Sequence, residues 1–202
     1  TVRYNAGGLR YTMNIIIAGC GKVGRALAEQ LSKEKHDITV IDLKPESIQL
    51  VTNAADVRGV VGNGASYDIQ MDAGVDKADL MIAVTNADEV NLLCCLIAKK
   101  AGGCQTIARV RNPVYHHEIH HIKDELGLSM VINPEWAAAM EMARLLRFPS
   151  AIDIDTFANG RIELLRFQLD DQNPLCGHKI RDLDTLSKCE VLVCIVERGN
   201  EV

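Results

Sequence analysis

Ile15-Ile-Ile-Ala-Gly-Cys-Gly-Lys-Val-Gly24 is an apolar run that breaks into three glycines at the spacing Gly-x-Gly-x-x-Gly, and a second apolar run, Ile38 to Ile41, ends in an acid, Asp42. This is the order of a dinucleotide site in a strand-turn-helix unit. Gly19 allows the tight turn, Gly21 leaves room for a pyrophosphate against the backbone, and Gly24 lets the next helix pack close. The N–H groups and dipole at that helix start favour an anion. Asp42 can accept hydrogen bonds from ribose hydroxyls. Val23, Leu27 and Leu31 recur at four-residue spacing, which makes the segment after the glycines an amphipathic helix.

Composition narrows the class. The chain has 202 residues, 48% hydrophobic and 24% charged, enough for a full core and for one domain plus part of another. A net charge of −5 gives no basic footprint for a nucleic acid. No apolar stretch reaches the length of a membrane span and no basic-then-apolar leader is seen, so the reading is cytoplasmic. The seven cysteines (Cys20, Cys94, Cys95, Cys104, Cys176, Cys189 and Cys194) are scattered and lie mostly in apolar runs, as expected of reduced core thiols.

Strand and helix patterns alternate from Met13 onward. Residues 1–12 are poorly patterned and read as a tag or disordered leader. Strands are expected at 14–18, 38–42, 57–61, 79–84, 105–110 and 129–132. Helices are expected at 22–34, 45–54, 66–73, 88–101 and 113–126. The result is an α/β, Rossmann-like, doubly wound parallel sheet over 13–134. A linker helix follows over 135–149, and a partial α+β module over 150–202, with strands at 162–169 and 191–196 and a short helix near 180–186. The linker helix carries Trp136, Met140, Leu145 and Leu146 on too broad a surface for one buried stripe, which favours a contact with a second chain.

Three further loops fall at carboxyl ends of strands, where open α/β sheets bind ligands. They are Gly62-Asn-Gly-Ala-Ser66, Thr85-Asn-Ala-Asp-Glu89 and Arg109-Val-Arg-Asn112. Each also has a plain reading as a turn, a helix cap or a solvated strand end. Lys22 sits in the phosphate turn and either meets a polyphosphate or projects into water. His117-Glu-Ile-His-His121 matches H-E-x-x-H, a zinc signature, but it lies on a crossover helix where His116, His117, His120 and His121 suit a solvated polar face. No metal is expected.

The combination of Ile15 to Gly24, Val40-Ile-Asp42, Gly62-Asn-Gly-Ala65, Ala83-Val-Thr-Asn-Ala-Asp-Glu-Val-Asn91, Ile107-Ala-Arg-Val-Arg-Asn-Pro113 and Val131-Ile-Asn-Pro-Glu135 closely resembles the TrkA family of potassium-uptake regulators, which carry the domain called RCK or KTN. The resemblance covers Met13 to about Pro149. Asn173 to Gly177 and Val191 to Arg198 resemble the start of the family's C-terminal ligand-sensing module. It implies a cytosolic dimer or ring docked on a membrane potassium-translocating subunit and switched by NAD(H) or by ATP or ADP. By motif, Gly19, Gly21 and Gly24, with Cys20, Lys22 and Val23 among them, would hold phosphates. Asp42, with Leu43 beside it, would hold the adenosine ribose, and Asn63, Gly64 and Ala65 the adenine side. Thr85, Asn86 and Arg109 would meet the far half of the nucleotide. The alternative is an NAD-dependent oxidoreductase, which needs an acid or base and a substrate domain beside the nicotinamide. The sequence offers no such pair of catalytic residues.

Overall fold

The structure, a computed structural model, describes residues 12–158, 161–170, 172–183 and 192–198, apart from the side chains of His116, His117 and His120. The leader expected at 1–12 therefore lies almost wholly outside the described residues. Two compact units divide after Ala138.

In the first unit, β1 (Asn14–Ala18), β2 (Asp37–Asp42), β3 (Arg58–Val61), β4 (Leu80–Ala83), β5 (Gln105–Arg109) and β6 (Met130–Ile132) form one parallel sheet in the order β3-β2-β1-β4-β5-β6. Helices α1 (Lys22–Lys33), α2 (Pro45–Ala54), α3 (Tyr67–Asp72), α4 (Asp88–Gly102) and α5 (Pro113–Ile122) make the crossovers. The strand order reverses between β2 and β4, on either side of β1, and such a switch point opens a crevice at the carboxyl edge.

The apolar run of β1 is explained by burial on both faces. Ile15 and Ile17 join Ile38, Val40, Val51 and Ala28 in one core, while Ile16 and Ala18 join Met81, Ala83, Cys94, Cys95 and Ala108 in the other. A strand covered on both sides has no polar alternation to show. Cys20, Cys94, Cys95 and Cys104 are buried free thiols, as their apolar surroundings suggest.

The crossover helix expected over 113–126 closes at Ile122, and the chain continues in turns to Gly127, which has φ of +67°. α6 (Pro134–Arg147) begins behind Asn133, whose side-chain oxygen accepts from the Trp136 N–H at 2.9 Å, and α6 has no buried residue. In the second unit, β7 (Ala151–Phe157) pairs antiparallel with β8 (Ile162–Phe167). Sequence reasoning missed β7, whose Ile152-Asp-Ile-Asp155 alternation is the pattern of a half-buried strand but carries two aspartates of low strand propensity. The strand expected at 191–196 is not one over the described Leu192–Val196, and the helix expected near 180–186 opens as a 3-10 turn at Ile180–Asp182 with Leu183 helical, its remainder lying outside the described residues.

Candidate nucleotide site

The glycine turn is built so that only glycine fits at two of its positions. Gly19 has φ of +104°, and its N–H donates to the Ile41 carbonyl at 2.8 Å, tying the turn to the end of β2. A Cβ on Gly24 would lie 1.8 Å from the Gly19 carbonyl oxygen, so α1 rests directly on the turn that precedes it. Gly21 differs. It is the N-cap of α1 with φ of −69°, and a Cβ there would meet nothing within 4 Å. The absence of a side chain at Gly21 serves neither backbone strain nor internal packing; it leaves open space in front of the helix start. No side chain caps α1, and its first turn carries no acid, so its leading N–H groups keep their attraction for an external anion.

Asp42 stands at the end of β2 as the lip of that space. Its Oδ2 accepts from the Cys20 N–H at 2.7 Å and its Oδ1 from the Lys44 N–H at 2.9 Å. Each oxygen retains a lone pair, since a carboxylate has about four acceptor sites. The carboxylate is thus held in one orientation without being used up. Lys22 and Leu43 beside it are exposed. Cys20 is buried, and its thiol is pushed up to about 12 by that burial and then by the Asp42 charge, against Arg25. It is a neutral filler under the turn.

The loop after β3 is pressed against the sheet. A Cβ on Gly64 would lie 2.9 Å from the Ala18 Cβ and 3.2 Å from the Cys94 Sγ. The Asn63 side chain accepts from the Ala65 N–H at 3.0 Å, which closes the turn, and Asn63 itself is exposed. Beneath it the fully buried Gln70 donates from Nε2 to the Gly64 carbonyl at 2.7 Å and to the Cys94 carbonyl at 2.9 Å. Gln70 thereby fixes the loop to α4.

Asn91, fully buried on α4, joins the next two strand ends. Its Oδ1 accepts from the Thr85 N–H at 2.8 Å and from the Thr85 hydroxyl at 2.7 Å, and its Nδ2 donates to the Arg109 carbonyl at 2.9 Å. Asp88, at the start of the same helix, accepts from the N–H groups of Arg111 and Asn112 at 2.9 and 2.8 Å. The Arg111 guanidinium donates to the Asn86 carbonyl. Arg109 turns its guanidinium to Glu135 in the first turn of α6, and its Nε is buried without a hydrogen-bond partner among the described residues. Burial pushes the Glu135 carboxyl up. Its backbone hydrogen bond, the bond from Arg109 and the charges of Arg109 and Arg111 outweigh that and hold it below the ordinary carboxylate range.

All fourteen residues named from the sequence (Gly19, Cys20, Gly21, Lys22, Val23, Gly24, Asp42, Leu43, Asn63, Gly64, Ala65, Thr85, Asn86 and Arg109) follow or end the carboxyl edges of β1 to β5. Sequence reasoning gave no role to Gln70 and Asn91 and read Asp88 only as part of the loop Thr85–Glu89; these three are the buried polar residues that hold those loops. The signal was available for Asn91, a polar residue on the helix face it shares with Cys94, Cys95 and Ala98 at i+3, i+4 and i+7. Two shallow clefts lie at the opposite edge, lined by residues such as His36, Asp37 and Arg58 or Asn14, Gly74 and Lys77. Neither has a Gly-x-Gly-x-x-Gly turn; Gly74 in the second opens only a single 3-10 turn, Val75–Lys77. Among the described residues no group of three or more His, Cys, Asp or Glu is placed to hold a metal. The side chains of His116, His117 and His120 fall outside that description.

Residues 15–134 match the family model of the TrkA-N domain. The chain belongs to the TrkA-N family. This TrkA-N chain is 39% identical over 188 residues to a Trk system potassium uptake protein TrkA homolog of Archaeoglobus fulgidus, a match covering 93% of this chain and 42% of that protein. It therefore spans less than half the length of that curated relative. Among solved structures, the AMP-bound C-terminal domain of Kef from Shewanella denitrificans superposes with a TM-score of 0.55 at 22% identity, covering 67% of this chain and 82% of that one. The GsuK channel bound to NAD superposes with a TM-score of 0.51 at 19% identity, covering 65% of this chain and 23% of that one. At these identities the likeness is one of fold. No helix among the described residues of this TrkA-N chain is long and apolar enough to cross a membrane.

Proposed function

We propose that this chain is the nucleotide-sensing part of a regulatory subunit of a Trk-type potassium uptake system, acting by conformational change and not by turnover. The observation that carries the reading is the pairing of an open, uncapped helix start behind Gly21 with a carboxylate, Asp42, fastened at its lip with lone pairs to spare. One half of the site suits phosphates and the other a ribose. Asp42 is followed by Leu43 and Lys44, without the arginine that a 2′-phosphate calls for, so NAD(H) or ATP and ADP fit better than NADP. The family match and the potassium-uptake relative support a potassium-translocating membrane subunit as the partner. The nucleotide-bound neighbours support an adenosine-containing ligand.

Regulation requires that the nucleotide bind one arrangement better than another. The loops after β3, β4 and β5 are braced on α4 by Gln70, Asn91 and Asp88, so a ligand across the edge acts on a rigid frame. α6 leaves that frame with Trp136, Met142, Leu145 and Leu146 exposed, and a second copy of the chain is the proposed occupant of its apolar surface. The test is potassium flux through the partner subunit in vesicles with the full-length regulator, with and without NADH or ATP. Nucleotide-dependent flux is expected, and flux indifferent to every nucleotide contradicts the proposal.

A further inference from the structure

Of the chain's six histidines, His116, His117, His120 and His121 all lie on α5, and the nucleotide edge uses none of them. A helix turns by about 100° per residue, so the fold decides which side of α5 each position occupies. Ile119 is 2% exposed and belongs to the core, and Tyr115 packs against the same cluster, which defines the inner side of the helix. Positions 117 and 121 each stand two residues from Ile119, hence on nearly the opposite side. His121 and Asp124 are exposed there. Positions 117, 120, 121 and 124 follow the spacing i, i+3, i+4, i+7 of one continuous stripe. Lys123, just past the last turn, keeps helical angles (φ −53°, ψ −46°) and so carries the stripe on to Asp124.

We infer that the outer stripe of α5 is a site for a divalent transition metal of the zinc or nickel class, with histidines 117 and 121 as its core and His120 and Asp124 beside them on the stripe. The inference does not depend on the nucleotide reading. Helical residues four apart have Cβ atoms about 5–6 Å from each other, and two imidazoles at that spacing can take one ion at the usual Zn–N distance of about 2 Å. Imidazole selects zinc, nickel or copper over magnesium and calcium, which prefer oxygen ligands. The motif fails as a hydrolytic signature, since a solvent-facing helix gives a substrate no cleft, yet holding an ion needs only the pair. This revises the sequence-based expectation of no metal. α5 has 10 residues, a length at which an isolated helix is marginal. An ion joining i to i+4 binds only the helical form and therefore clips it. The clipped helix abuts the ligand edge, for the Tyr115 hydroxyl donates to Glu89 Oε1 at 2.9 Å in the first turn of α4.

The test is calorimetric titration of the full chain with zinc chloride and, separately, magnesium chloride, together with hydrogen exchange of the α5 backbone amides with and without zinc. The chain should bind zinc and not magnesium, and zinc should slow exchange in α5. His117→Gln combined with His121→Gln should weaken zinc by more than about tenfold, since losing only the support of a metal ligand already costs that much, and should abolish the slowing. His178→Ala, on an exposed residue of the second unit, should change neither. An unchanged urea midpoint of the double variant without zinc separates a lost ligand from a folding defect. Zinc binding that the double variant retains, or magnesium binding equal to that of zinc, would overturn the inference. Zinc bound without protection of α5 would mean an adventitious ion only, and absence of zinc binding would equally end the proposal.

Discussion

The backbone N–H of Cys20 donates to Asp42 Oδ2 at 2.7 Å, so the acid at the end of β2 and the glycine turn after β1 form one rigid piece. Asp42→Ala removes both the acceptor of that N–H and the proposed ribose contact. Binding of NADH or ATP should weaken by about 1–3 kcal/mol, the cost of orphaned hydrogen bonds. Asp42→Asn keeps one acceptor and should fall between the two. Titration calorimetry on the three proteins checks the order.

Gly21 and Gly24 should separate binding from stability. Gly24→Ala places a methyl 1.8 Å from the Gly19 carbonyl. Overpacking against backbone should destabilise the fold by about 3 kcal/mol or more. Gly21→Ala meets open space at a φ of −69°, and should cost at most about 1 kcal/mol as a cap change. It should nevertheless weaken nucleotide binding, because the methyl enters the space in front of the helix start. Urea unfolding and calorimetry on the same two variants read both effects.

Asn91 is the brace between β4 and β5. Asn91→Ala leaves the Thr85 N–H and the Arg109 carbonyl without their buried partner and opens a small cavity. The expected loss is about 2–4 kcal/mol of stability from unmet polar groups and lost packing. Chemical denaturation measures it, and a loss below the range of surface substitutions would remove Asn91 from this role.

Thiol titration should show in stability at high pH. Cys20 and Cys94 are pushed up from 9.0 to about 12, each chiefly by burial, and Cys95 is raised further. A folded-state value above the unfolded one means that the folded chain holds the proton longer. Stability from these thiols is therefore complete below pH 9 and is lost as pH rises from 9.0 toward 12. In the native protein at pH 8, iodoacetamide should label the exposed Cys176 and Cys194 and spare Cys20, Cys94, Cys95 and Cys104. Labelling of all six at one rate would contradict the burial.

Much of this was legible in the sequence because local patterns agreed with the global fold. The glycine spacing, the acid at Asp42 and the strand-helix alternation all require a parallel doubly wound sheet, and that sheet carries Thr85, Asn86 and Arg109 to the same edge as Gly19. The bracing residues were hidden for a physical reason. Gln70, Asp88 and Asn91 are ordinary polar residues in sequence, and only burial by distant segments gives them their work. The second unit was read less well. Asp153 and Asp155 lowered the strand propensity of β7, and the apolar run at Leu192 to Val196 has strand composition without a strand over its described residues.

The most direct test of the central claim is calorimetric titration of the chain with NADH, NAD, ATP, ADP and NADPH, each repeated on Asp42→Ala. The account predicts selective binding of a nucleotide without a 2′-phosphate, weakened by the substitution. Absence of binding by all five, or binding that Asp42→Ala leaves unchanged, would contradict it.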